Sequence, residues 1–355
     1  MAADGVSRKR KLAGFWLRLS CFAALACLML GYFTYALTPK HDYGVCAMMN
    51  LYRQPKNSID VLTIGTSLAY SGVNTNVLWE EYGVAAYNLC SAEQPFWVSY
   101  YALREALKTQ RPRLILLDAK PATYTRGYSK RGRTILSTFG MRGLENRIGA
   151  ILACVEKPED AVGYILGLPE VHSNYAHLQA SDFSLPPDNG GRGASWKGYI
   201  ETDAVEQHQR PSMVWNSVRR AMNAREEEYG RKIFELAREE QIPLALLGMP
   251  NPDYAADHMY YNALWSAAAE YGVSGLNYND PSLRFGLRYS SDFADWQHLN
   301  VKGSVTFSRK LGADLTAMFD LPDRRDDPYY ASYAACAEAW ALRYPSFEST
   351  GGGKK

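Results

Sequence analysis

The sequence carries almost no net charge. Its 39 Lys and Arg residues meet 37 Asp and Glu residues, a formal +2. A nucleic-acid surface needs a basic excess, so no nucleic-acid partner is expected. Histidine is scarce, at six residues, and so is cysteine, also at six. No CxxC pair or Cys/His spacing occurs, so no zinc site is expected. GxGxxG and GxxxxGK[ST] are both missing, which removes the usual phosphate-cradling loops. Neither a metal nor any other cofactor is expected. What is present is an ordinary globular composition, 47% hydrophobic and 21% charged, over 355 residues. That is enough for a short anchor and one large domain with its own core. Tyrosine is abundant, at 25 residues. Its flat apolar face and hydroxyl suit carbohydrate surfaces, and equally suit the edge of a core.

The N-terminus holds a basic cluster, Arg8 to Lys11, as a short cytoplasmic segment over residues 1–11. An apolar run follows over residues 12–37, interrupted by Arg18. From Leu19 to Leu37 it is uncharged and close to the roughly 20 residues a bilayer crossing needs. The basic flank predicts a single-pass anchor in the cell membrane, N-terminus in the cytoplasm and the rest of the chain outside. A cleaved signal peptide is the alternative, with Thr34-Tyr35-Ala36 as its small-residue site. Disulfides among Cys46, Cys90, Cys154 and Cys336 fit an extracytoplasmic domain, with the pairing left open.

After a linker over residues 38–57, apolar β-branched runs alternate with helical periodicity. Strands are expected at Ser58–Gly65, Val84–Leu89, Arg113–Ala119, Ile242–Gly248 and Val273–Leu276. Helices are expected at Pro95–Thr109, Trp215–Glu240, Tyr254–Tyr271 and Lys302–Phe319. The alternation predicts an α/β domain over residues 58–320, a mainly parallel sheet with helices on both faces. The rhythm breaks at about 120–214, which is expected to be an excursion that walls a site. Residues 321–355 are expected to be a partly disordered tail.

Ser67 directly follows the first strand, in Ile64-Gly65-Thr66-Ser67. Sites in open parallel sheets lie at the carboxyl ends of strands, though a serine there can also be only a helix cap. Near the other end stands Asp292-Phe293-Ala294-Asp295-Trp296-Gln297-His298. Asp295, three residues before His298, can reach the imidazole Nδ1 and leave Nε2 as a general base. Asp292, six residues before, would need the chain to double back.

Gly65-Thr66-Ser67 and Asp295-Trp296-Gln297-His298 together resemble the nucleophile and Asp-x-x-His blocks of the SGNH (GDSL-like) hydrolase family. The resemblance implies a three-layer α/β/α sandwich. It implies Ser67 as nucleophile, His298 as base and Asp295 as its orienter, in an enzyme that cleaves or transfers acyl esters through an acyl-serine. The family's oxyanion donors are less well matched. After the second strand stands Asn88-Leu89-Cys90-Ser91-Ala92, where a backbone N–H of Cys90 or Ser91 is the expected donor, beside that of Ser67. The family's Gly-x-Asn-Asp block is absent, with Asp118-Ala119-Lys120-Pro121 in its place and Gln94 as a substitute donor. The stretch from His172-Ser173-Asn174-Tyr175 through Asp182-Phe183 to Lys197-Gly198-Tyr199 resembles the membrane-anchored envelope subgroup. That subgroup includes proteins of D-alanyl-lipoteichoic acid biosynthesis and polysaccharide O-acetylation. Its likeness implies a cell-surface glycan or acylated, teichoic-acid-like polymer as substrate, and a membrane-bound O-acyltransferase as partner. The departures motivate an alternative, a catalytically inactive glycan-binding or assembly subunit of an envelope acylation complex.

Overall fold

The computed structural model describes residues 2–40, 43–184, 196–212 and 216–347. Five short apolar runs form one sheet: β1 (Val61–Gly65), β2 (Ala86–Cys90), β3 (Leu114–Asp118), β4 (Leu244–Gly248) and β5 (Ser274–Asn277). The order is β2-β1-β3-β4-β5, and every neighbouring pair is parallel. In β1 to β4 every residue is buried, as a sheet covered on both faces requires. Successive side chains point to opposite faces. Leu62, Ile64, Ile115, Leu117, Leu244 and Leu246 thus enter one core, while Val61, Leu114, Leu116, Ala245 and Leu247 enter the other.

In chain order the helices among the described residues are α1 (Ala2–Leu37), α2 (Tyr43–Leu51), α3 (Ser67–Gly72), α4 (Thr75–Tyr82), α5 (Phe96–Ala106), α6 (Arg131–Thr138) and α7 (Leu144–Cys154). They continue with α8 (Ala161–Leu166), α9 (Leu168–Val171), α10 (Ala224–Glu239), α11 (Tyr254–Ala269), α12 (Val301–Met318) and α13 (Ala331–Arg343). Helices α5, α10 and α11 pack Phe96, Leu103, Phe234 and Leu264 on the first core. Helices α3, α4 and α12 pack Leu68, Leu78, Phe307 and Leu311 on the second. The result is a three-layer α/β/α sandwich around one parallel sheet, the architecture expected from the sequence.

The chain divides into two compact units, Met1–Pro39 with Val162–Asp188, and Lys40–Ala161 with Asn189–Lys355. In the smaller unit, the stretch Lys11–Leu37 of α1 is long and apolar enough to cross a membrane. At about 1.5 Å per residue its 27 residues reach about 40 Å, more than a hydrocarbon core of about 30 Å. The Tyr35 hydroxyl donates to the Ser184 carbonyl at 2.6 Å, and Asn174 Nδ2 donates to the Leu37 carbonyl at 2.9 Å.

In the larger unit, three segments differ from the sequence reading. The expected linker contains α2, whose Gly44 to Leu51 are all buried. The expected excursion splits: α6 and α7 stay with the sheet unit, 162–188 belongs with α1, and 196–200 returns to edge strand β2, where Lys197 O accepts Asn88 N–H at 2.9 Å. The expected helix from Trp215 begins instead at Ala224, where the Asn223 side chain caps Arg225 N–H; Trp215 itself lies outside the described residues. None of the six cysteines is in a disulfide.

Most of the expected tail is ordered. Tyr330, Tyr333, Ala337 and Trp340 are buried at helical spacing, and α13 packs them against α4 and residues 196–199. Trp340 stands edge-on to Trp196 and Tyr199, with ring centroids 5.6 Å and 5.4 Å away. Trp340→Ala is expected to lower unfolding free energy by about 3–5 kcal/mol in a denaturant titration. A loss of under about 1 kcal/mol would show that α13 is not part of the core.

Candidate active site

The order β2-β1-β3 means that the chain leaves β1 to one side and returns to its other side at β3. A crevice opens there, beyond the strands' carboxyl ends. Ser67 stands at its rim, the first residue of α3. Thr66 caps this helix, its Oγ1 accepting Leu68 N–H at 3.2 Å. Thr66 is fixed in turn by Asp118 at the end of β3. The Asp118 Oδ2 accepts from the Thr66 N–H at 3.0 Å and the Thr66 hydroxyl at 2.5 Å, while Oδ1 accepts from Lys120 N–H at 3.0 Å. Gly65 allows this approach, since a Cβ there would lie 2.2 Å from the Asp118 Cβ. Burial raises the Asp118 carboxyl above its ordinary range, against the lowering effect of those three bonds.

His298 arrives from the loop before α12. Its Nε2 lies 2.7 Å from Ser67 Oγ. Its Nδ1 lies 2.7 Å and 2.9 Å from the two Asp295 oxygens. Asp295 Oδ1 also accepts the backbone N–H groups of Gln297 and His298, each at 2.9 Å. Ala294 N–H donates to His298 O at 2.8 Å, and Phe293 pairs with Leu299, which closes 293–299 into a small hairpin. Asn300 then caps α12, accepting Gly303 N–H at 3.0 Å. Asp292 points away from the imidazole. It is buried and accepts Arg288 N–H and the Ser291 hydroxyl, both at 2.8 Å.

Of the other residues singled out in the sequence, Ser91 gives its N–H to Gly65 O at 3.1 Å, and Gln94 gives an Nε2 hydrogen to Ser99 Oγ at 3.1 Å. Cys90 directs its thiol to Thr63 O at 3.6 Å, and burial raises that thiol well above its ordinary range. An oxyanion role for the Ser91 N–H requires it to leave Gly65 O, whereas Gln94 keeps a second amide hydrogen beside the one given to Ser99. The sequence reading overlooked Asp118 and Tyr70. Tyr70 is three residues beyond Ser67 on α3, one turn along the same helix. Burial foremost, then Tyr43, holds its phenol above the ordinary range, so it remains a neutral donor. The spacing of three after the serine was the available signal.

The envelope-subgroup residues are spread over both units. His172 and Asn174 lie in a 3-10 turn, and Asp182 accepts Gln179 N–H at 2.8 Å. Lys197 Nζ donates to Gln54 Oε1 at 2.8 Å and Ser332 Oγ at 2.7 Å, and Tyr199 Oη meets Ser304 Oγ at 2.7 Å.

No protein-family model matches the sequence, and no curated protein does either. Among solved structures, a Bacteroides fragilis protein given as an acylhydrolase is 12% identical, with a TM-score of 0.37. The match covers 75% of this chain and 92% of that one. A gut microbial diltiazem-metabolizing enzyme is also 12% identical, at a TM-score of 0.25, over 72% of this chain. The match takes in 46% of that enzyme's length. The fold assignment therefore rests on strand order and layering, and the site on its own distances.

Burial tends to raise the Asp295 carboxyl. The Gln297 N–H and the His298 ring and N–H outweigh it and hold the group below its ordinary range. A depressed carboxyl stabilises the fold above its unfolded titration range and loses that contribution as pH falls through the lowered one. The melting-temperature gap between wild type and Asp295→Asn is thus expected to be widest near neutral pH and to shrink below about pH 4. A gap constant across a pH series of thermal melts would contradict this linkage.

Proposed function

We propose that this protein is a serine-dependent ester hydrolase or O-acyltransferase acting through an acyl-Ser67 intermediate. The observation that carries the reading is the chain of contacts Ser67 Oγ to His298 Nε2 to His298 Nδ1 to Asp295. A serine hydroxyl is a weak nucleophile without an adjacent base. With Nδ1–H held by Asp295, Nε2 is the free lone pair, in line to take the Ser67 proton. Oγ then bonds to the ester carbonyl carbon. As the tetrahedral adduct collapses, the C–O bond to the leaving alcohol breaks and His298 returns the proton to it. Water or a second hydroxyl, deprotonated by His298, attacks the acyl-serine and releases the acid or the transferred ester. The Ser67 N–H at the start of α3 is the donor offered to the oxyanion, with the Tyr70 phenol one turn further along the helix.

The reading extends to an O-acylated, teichoic-acid-like or polysaccharide polymer of the cell envelope, met outside the membrane beside a membrane-bound O-acyltransferase. Its support is the basic cluster before the span at Lys11–Leu37 and the resemblance to the envelope subgroup. The second reading, an inactive glycan-binding or assembly subunit, is favoured by the protein partners already held by Ser91 N–H and Gln94.

A serine-reactive fluorophosphonate separates the two. Wild type is expected to label at Ser67, and Ser67→Ala is expected not to. Asp295→Asn is expected to cut turnover of an acetyl ester by about 10⁴, as loss of tautomer control does in serine triads. Asp292→Asn removes a buried scaffold bond, so it is expected to lower the melting temperature while turnover stays within a few-fold of wild type. A folded wild type that neither labels nor turns over the ester would leave the binding subunit as the reading. A severe turnover loss in Asp292→Asn beside a normal Asp295→Asn would overturn the assignment of the orienting carboxylate.

A further inference from the structure

The segments after β2 and β3 enclose a cleft of about 340 Å³ that the acyl-transfer chemistry does not use. Its volume falls in the range of small-ligand sites, about 300–1,000 Å³. Both loops leave the carboxyl ends of strands that flank β1, so the cleft and Ser67 share one edge of the sheet. Arg133, on α6, lies in the cleft wall.

The lining is of two kinds. Trp97, Tyr124 and Tyr128 supply aromatic surface. Arg126, Lys130 and Arg133 supply three cations against one carboxylate, Glu93. In a chain whose formal charge is only +2, this is a local concentration of positive charge. Glu93 Oε1 accepts from Arg133 at 3.0 Å and Oε2 from Lys130 at 3.2 Å. Glu93 is a non-glycine residue at φ 52°, a left-handed conformation that L side chains adopt rarely. Its strained backbone carries the carboxylate to the two cationic heads. A guanidinium has five N–H donors and an ammonium three, so an incoming oxyanion can share these heads with Glu93 or displace it.

We propose that this cleft is a substrate subsite for an anionic carbohydrate or polyol unit. Lys130 and Arg133 hold its phosphate or carboxylate, Glu93 is the built-in counter-ion that the ligand replaces, and the Tyr124 and Tyr128 rings face its carbon skeleton. The inference rests on the acyl-transfer reading and narrows it. The ester that reaches Ser67 belongs to a polymer with a negative charge on a neighbouring unit.

The test reads binding directly, by calorimetry on the full-length Ser67→Ala protein in detergent, so that it does not depend on turnover. Three oligomers are compared: a poly(glycerol phosphate), an oligogalacturonate and a neutral dextran. At least one anionic oligomer is expected to bind at least tenfold more tightly than dextran, and to lose that advantage as salt is raised. Which of them binds tells phosphate from carboxylate. Adding Lys130→Glu and Arg133→Gln is expected to weaken anion binding at least tenfold. Adding Glu93→Gln is expected to strengthen it, because the competing carboxylate is gone. Thermal melts confirm that each variant is folded. Should the double variant not fold, Glu93→Gln and the salt series decide the question. Dextran binding as tightly as both anions, or anion affinity unmoved by these changes in folded protein, would overturn the subsite. Failure of wild type to turn over an acetyl ester would instead remove the acyl-transfer reading, while the binding result would stand by itself.

Discussion

The Asp118 carboxylate is fully buried at the end of β3, and three donors converge on it from the Thr66 N–H, the Thr66 hydroxyl and the Lys120 N–H. A carboxyl group with no partners at such a site would be strongly destabilising; with three donors it becomes a cross-brace. The brace ties the residue before Ser67 to a neighbouring strand rather than leaving it on a free loop. It also explains two identities in the turn. Gly65 must lack a Cβ for Asp118 to come this close, and Thr66 must both donate to Asp118 and accept from Leu68 to start α3. The position of Ser67 is thus set by the β1–β3 contact, beneath any chemistry it performs.

The base is held by the same device at the other end of the chain. One Asp295 oxygen accepts two backbone N–H groups of its own loop, and the same carboxylate meets the imidazole. Folding the hairpin and orienting the ring are therefore one event. Asp292 keeps the hairpin's base in place, and its carbonyl lies so near that a Cβ on Gly303 would fall 2.0 Å away. Phe293 and Leu299 anchor the ends of the hairpin in the second core, and the carboxylate that serves both loop and ring fixes the turn between them.

The strands were legible in the sequence because a parallel sheet buried on both faces writes itself as continuous apolar runs, such as Leu114 to Leu117. Ser67, Asp295 and His298 could be selected by motif. That they lie together followed from the family resemblance and not from spacing, since Ser67 and His298 are 231 residues apart. Asp118 escaped notice for a different reason. It stands where the resembled family has another block, so it registered as an absence rather than as the partner of Thr66. The order in α13 was hidden by composition. The Ala, Tyr and Asp content of the stretch from Leu321 suggests a solvated tail, while the spacing of Tyr330, Tyr333, Ala337 and Trp340 is a buried helical stripe. Residues 43–51 were misjudged because a nine-residue apolar helix is too short for periodicity to stand out.

The two sides of the crevice are built to different standards. The Ser67 and His298 side is braced by buried carboxylates and by close backbone approaches at Gly65 and Gly303, so its groups are in place before a ligand arrives. Such preorganisation is what acyl-transfer chemistry requires of a nucleophile and its base. The cleft after β2 and β3 is lined by partly exposed residues, where Lys130, Arg133 and Glu93 meet through long side chains. Exposed ion pairs of this kind contribute little to stability and rearrange readily. Changes in that wall can alter what is recognised without disturbing the braces that place Ser67. The proposed subsite and the proposed chemistry are therefore separable in this fold, the first placed in the segments after β2 and β3, the second in the ends of β1 and β3 and the hairpin before α12.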